Sequence, residues 1–171
     1  TEPILFTGLE QFLEGEVLQQ GLDNRVYGLL EKRAIAETIA MITKMMPQLK
    51  KLTIINDASA NGDDSEPFIQ EAIQAQAGQF EIEYIRKSTL EELEKRFIAP
   101  KKEEAIFFIR FYNDKEGYLY KNSQIASMIA KSALPVFITD TLFIGKGAFG
   151  GKLVPIQKLG SATGQMAMDV L

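Results

Sequence analysis

The sequence predicts an α/β protein built on a doubly wound parallel sheet, and three observations predict it. Short strand-like runs alternate with helical segments along the chain, the order that βαβ units require. The runs Leu52-Thr53-Ile54-Ile55, Ala105 to Ile109 and Val136 to Thr139 are apolar or β-branched with little alternation, the mark of strands covered on both faces. No repeat or low-complexity segment interrupts this order. Crossovers between parallel strands keep one hand, so the carboxyl ends of such strands gather along one edge of the sheet.

Ile4 to Phe6 reads as a short buried strand closed by a turn at Thr7-Gly8. A polar stretch through Asp23-Asn24 follows, holding one short helix from Glu10 to Gln20, and Val26 to Leu30 forms a second strand. From Lys32 to Met46 the apolar positions Ile35, Ile39, Ile42, Met45 and Met46 recur at helical spacing, and Pro47 ends the helix. After the strand Leu52 to Ile55, a polar loop from Ala58 to Ser65 leads into a helix from Glu66 to Ala77, with Pro67 in its first turn and Gly78 closing it. Phe80 to Ile85 alternates more clearly, which places it nearer a sheet edge. Ser88 with Glu91 has capping-box spacing and opens a helix through Phe97. The strand Ala105 to Ile109 comes next, then a helix from Gln124 to Ala133 capped by Asn122 or Ser123, then the strand Val136 to Thr139. The glycine-rich stretch Gly145 to Gly151, a strand Lys152-Leu153-Val154 and a small-residue helix Ser161 to Leu171 complete the chain.

A length of 171 residues fits one ordinary domain. With 46% hydrophobic and 25% charged residues, the composition is that of a folded globular chain. The net charge is −4 with both signs interspersed, so there is no basic face for nucleic acid. Cysteine and histidine are both absent. That removes disulfides, cysteine-based zinc sites and the commonest general base, so the chain reads as non-catalytic, with no cofactor and no metal. No apolar run approaches the ~20 residues of a membrane span, and the N-terminus lacks the pattern of a signal peptide. Thr1-Glu2-Pro3 leads at once into Ile4-Leu5-Phe6, which reads as a cut inside a larger protein.

Three predicted strands end in polar clusters: Asn56-Asp57 with Ser59, Arg110 with Tyr112, and Asp140 with Thr141. On a doubly wound sheet all three lie at one rim, where acceptors, a guanidinium and an aromatic face suit a small polar ligand. The competing reading is that they are turn and cap residues. Arg110 has two readings of its own: contact with a ligand anion, or an ion pair with Asp114 or Asp140. The glycines of Gly145 to Gly151 lack the Walker spacing and read as a bulge or a close backbone approach. Asp63, Asp64 and Glu66 lack the register of a calcium loop and read as acidic residues favoured by a helix start. Met45 and Met46 read as core filling.

The order Ile4 to Gly8, Val26-Tyr27-Gly28, Leu52 to Asp57, Phe108 to Gly117, Pro135-Val136-Phe137 and Gly145 to Gly151 resembles the ABC-transporter substrate-binding-protein-like family. It looks like the branch found as extracytoplasmic sensor domains of histidine kinases and GGDEF diguanylate cyclases. The resemblance implies a type I periplasmic-binding-protein fold, in which two doubly wound lobes close on a ligand. Residues of about 30–140 would then be the second lobe, with 1–29 and 145–171 belonging to or crossing toward the first. The implied function is ligand sensing on the periplasmic side of the inner membrane. A small molecule of unstated identity would bind at Asn56, Asp57, Ser59, Arg110, Tyr112, Asp140 and Thr141, the full-length chain would carry a cytoplasmic output domain, and a homodimer is one assembly open to it. The alternative is a stand-alone solute-binding protein of an ABC transporter.

Overall fold

A computed structural model describes residues 2–22 and 24–170. The chain divides into two units, one of Thr1–Arg33 with Val154–Leu171 and one of Ala34–Leu153. In the first, β1 (Ile4–Leu9) pairs in parallel with β2 (Val26–Leu30), and the helix α1 (Glu14–Gln19) lies between them in sequence. The strand β1 does not stop at Thr7-Gly8. It runs on to Leu9 through a register shift between Thr7 and Leu9, because the amide of Glu31 reaches the Leu9 carbonyl at 2.8 Å and extends the pairing.

The second unit begins with α2 (Ile35–Met45) and β3 (Lys51–Ile55), followed by α3 (Ala60–Ala75) and β4 (Glu81–Ile85). It continues with α4 (Leu90–Phe97), β5 (Glu104–Phe108), α5 (Asn122–Lys131) and β6 (Val136–Ile138). The last helix of the chain, α6 (Ile156–Val170), belongs to the first unit. The four strands of the second unit form one sheet in the order β4-β3-β5-β6, every pair parallel. The more clearly alternating strand β4 sits at the edge, as its pattern predicts.

Side chains alternate across a strand, so each central strand feeds two cores. Ile54, Phe107 and Phe137 pack with Ile35, Ile39 and Ile42 of α2 and Ile69 of α3. Their neighbours Ile55, Ile106, Phe108 and Ile138 pack on the opposite face with Leu93 and Phe97 of α4 and Ile125 and Ile129 of α5. With helices on both faces of an all-parallel sheet, the unit is a doubly wound α/β lobe.

Several local readings need correction. The helix α3 starts at Ala60, not Glu66, and its N-cap is Ser59, whose hydroxyl accepts from the Gly62 amide at 3.1 Å. Pro67 therefore lies inside the helix, where it leaves the Asp63 carbonyl without its usual partner. The polar composition of Ala60 to Ser65 imitates a loop; burial of Gly62 and Ser65 makes it helix. The capping box uses Thr89 and Glu92 instead of Ser88 and Glu91, with Glu92 N to Thr89 Oγ1 at 3.2 Å and Thr89 N to Glu92 Oε2 at 2.9 Å. Both pairs satisfy the spacing, and this frame turns Leu90, Leu93 and Phe97 into the core.

The N-cap of α5 is Lys121, ahead of Asn122 and Ser123, and its amide is held by Gln124 Oε1 at 2.9 Å. Met45, the last residue of α2, is exposed and does not fill the core, while Met46 packs against it; the buried stripe is Ile35, Thr38, Ile39 and Ile42. Lys152-Leu153-Val154 is not one of the strands: the Lys152 amide bonds the Thr38 hydroxyl at 3.2 Å instead of a neighbouring strand. Just before it, a Cβ on Gly151 would stand 1.8 Å from the Ile138 carbonyl oxygen, so the glycine stretch is a close backbone approach, as read from the sequence. The helix α6 begins at Ile156, five residues earlier than Ser161, and Leu171 lies outside the described residues, as does Asp23.

Candidate functional site

The register of the sheet fixes where the polar clusters emerge. Ile55 lies beside Phe108 and Ile85, and Phe108 lies beside Ile138, so these four strands end level with one another. Asn56-Asp57, Arg86, Arg110 and Asp140 follow within two residues of those ends, on one rim. This is the edge of a parallel sheet where loops converge and ligands bind.

Asn56 and Asp57 are fully buried, Arg110 and Asp140 are 7% and 6% exposed, Ser59 and Tyr112 are half-buried, and Thr141 is exposed. Asn56 donates from Nδ2 to the Gly62 carbonyl at 2.9 Å and to the Tyr84 hydroxyl at 3.2 Å, while its buried Oδ1 has no protein partner. Tyr84 in turn donates to Glu66 Oε2 at 2.5 Å. Burial and that bond to Glu66 both push the Tyr84 hydroxyl above the usual tyrosine range.

Asp57 accepts at Oδ1 from the amide and hydroxyl of Ser59 and at Oδ2 from the amides of Tyr112, at 2.8 Å, and Asn113, at 3.3 Å. The first two predicted clusters are thus brought into direct contact. Asp140 closes its own turn, accepting from the Leu142 amide at 2.9 Å at the end of the neighbouring strand. Asp114, weighed as an ion-pair partner for Arg110, is taken up by the amides of Glu116 and Tyr118, both at 2.9 Å, and by the Tyr120 hydroxyl at 2.7 Å.

Sequence reasoning missed the contribution of β4. Arg86 follows it as Arg110 follows β5, and Arg86 bonds the Asp57 carbonyl and Asp63. An open cleft of about 850 Å³ lies beyond β4, lined by Tyr84, Arg86, Lys87, Ser88, Glu92 and Arg96 among others. The signal was present, since an arginine follows within two residues of the strand end in both places. Glu92, at this cleft, is held down to about 2 by the ammonium of Lys115 first, then by the Thr89 amide and the Ser88 hydroxyl. Among the described residues no group of acidic side chains is arranged to hold a metal ion, and no helix is long and apolar enough to cross a membrane.

A parallel lobe with helices on both faces and polar side chains buried at its strand ends defines a doubly wound α/β class. The chain belongs to the ABC transporter substrate binding protein family, which it matches over residues 1–171. No curated protein sequence matches it. Among solved structures it is similar to a conserved domain protein from Vibrio cholerae O1 biovar El Tor, with 16% identity, a TM-score of 0.69, and 98% of this chain against 56% of that one covered. It is also similar to an ABC domain from Streptococcus pneumonia in complex with L-Trp, with 18% identity, a TM-score of 0.61, and 85% of this chain against 49% of that one. The chain therefore spans about half the length of these structures, and at such identities the likeness is one of fold.

Proposed function

We propose that this chain is the ligand-holding part of a solute-binding protein that serves an ABC permease on the outer side of a membrane. A small polar molecule would be held at the rim of Asn56, Asp57, Ser59, Arg110, Tyr112, Asp140 and Thr141. The observation that carries the reading is the family match over the whole chain, joined to a rim where buried polar groups converge at parallel strand ends. Arg110 supplies a guanidinium suited to a carboxylate, and Tyr112 an aromatic face. An amino acid is the first ligand to try, since one structural neighbour was solved with L-Trp. Nothing in this reading calls for bond chemistry at the rim; differential affinity between states is enough.

The signalling sensor uses the same rim and differs in what it is joined to. It rests on the order of sequence motifs alone, whereas family membership supports transport. Sequencing of the gene beyond Leu171 separates the two: a membrane helix leading to a kinase or cyclase segment favours the sensor, and a stop codon beside permease genes favours transport.

The binding claim is tested by thermal shift with L-tryptophan and the other common amino acids. A ligand at a hundredfold its Kd adds ~2.7 kcal/mol, which raises the Tm of a chain of this size by about 5–10 °C. Arg110→Lys should lower affinity for a responding carboxylate ligand by about tenfold or more while leaving the fold intact. A flat response across amino acids and other small metabolites counts against the reading.

A further inference from the structure

We infer that Asp57 is a positioning residue that ties two segments of the rim into one body, the Ser59 to Gly62 turn after β3 and the Tyr112-Asn113 turn after β5. This rests on the rim being the ligand surface proposed above. Asp57 is fully buried, and four donors converge on its two oxygens: the Ser59 amide and hydroxyl on Oδ1, the Tyr112 and Asn113 amides on Oδ2. Tyr112 and Asn113 lie 55 and 56 residues further along the chain, and neither amide is paired in a strand ladder. Without Asp57 those two part-buried amides would lose the carboxylate that accepts from both of them.

The link continues beyond the carboxylate. By giving its proton to Asp57, the Ser59 hydroxyl turns a lone pair toward the Gly62 amide, and so the N-cap of α3 is aimed by the same residue. Packing enforces the arrangement, because a Cβ on Gly62 would stand 2.2 Å from the Asp57 carbonyl oxygen and 2.7 Å from Oδ1. Asp57 therefore acts on a ligand through Ser59 and Tyr112, holding the loop that presents Tyr112 at a fixed place relative to the start of α3.

The requirement is for a side chain that only accepts. Asn has nearly the same shape but offers one acceptor and one donor, so it must turn an N–H toward one of the two pairs. Amide hydrogen exchange on the unliganded full chain reads this directly. In Asp57→Asn, exchange of Tyr112 and Asn113 or of Ser59 and Gly62 should quicken on the order of tenfold or more, while Ile54 and Phe107 in the strands keep their protection. Unchanged exchange at all four amides, or an equal loss spread through β3 and β5, overturns the assignment.

If the variant does not fold, the unmodified chain decides. The amides of Ser59, Gly62, Tyr112 and Asn113 should open together with one common dependence on denaturant, and distinct dependences for the two turns overturn the tie. A separate titration of the unmodified chain with L-tryptophan bears only on the ligand reading, so failure of that reading is told apart from failure of the tie.

Discussion

The two units of the chain are held by different forces. In Ala34–Leu153 every strand of the sheet is flanked by helices, and the fully buried large side chains, from Ile39 to Phe143, all lie there. In the unit of Thr1–Arg33 with Val154–Leu171 there are two strands, none of whose residues is buried, and Ile4, Leu13, Leu18 and Tyr27 are all more than 40% exposed. Among its described residues the most buried side chain is a carboxylate: Glu10, 2% exposed, meets Arg33 Nε at 3.1 Å, and Arg33 Nη2 meets Glu31 at 3.0 Å. Phe6 and Phe12 stack at 4.8 Å beside an otherwise thin apolar set. A two-stranded sheet of this kind is marginal by itself, so stability resides in the four-stranded lobe, where the apolar burial is.

The largest effect should come from the lobe. Phe107→Ala removes a ring with no exposed surface at the centre of the sheet and should cost ~3–5 kcal/mol in denaturant unfolding. A loss under ~1 kcal/mol would mean that the lobe is not where the stability lies.

Weakening the ion network of the smaller unit should cost about 2 kcal/mol locally, because Glu10→Ala removes one of the two carboxylates that meet the mostly buried Arg33 guanidinium. Hydrogen exchange should then quicken along β1 and β2 and leave β3 and β5 as they were. Equal quickening in both sheets would show that the two units share one stability after all.

Smaller effects sharpen the account of the lobe's own loops. Thr89→Ala removes the hydroxyl that caps α4 and should cost about 1 kcal/mol, read as a lower midpoint with an unchanged m-value.

Glu92 gives the least effect and the one that depends on pH. Its folded value of about 2 lies below the ordinary carboxylate range, so its contribution is fully present above about pH 5 and is lost as pH falls toward 2. Glu92→Gln should therefore lower Tm at pH 6 and make a much smaller difference at pH 2, where Glu92 is about half protonated. A gap between the two proteins that does not narrow over that range would rule out the Lys115 bond as its source.

The unbroken apolar runs Leu52 to Ile55, Ala105 to Ile109 and Val136 to Thr139 disclosed the parallel lobe, since a strand covered on both faces has no polar side to alternate. The same runs showed where the polar clusters of the rim would fall. Element starts were less legible. Ser88 and Thr89 are both followed three residues on by Glu, and burial of Leu90, Leu93 and Phe97 selects between them. Pro67 reads locally as a first-turn residue, yet α3 begins seven residues earlier because Asn56 and Ser59 secure Gly62. Lys152 to Val154 has strand-like residues, but no strand partner claims the Lys152 amide, which goes to Thr38.

Periodicity and residue type, which act over a few neighbours, were enough to determine fold class, strand direction and the edge at which polar groups collect. Only the tertiary structure decided which of those groups spend their bonds on each other. Asp57 meets Tyr112 across more than fifty residues of sequence, and hydrogen bonds over such distances are set by strand register and crossover, which no local pattern encodes.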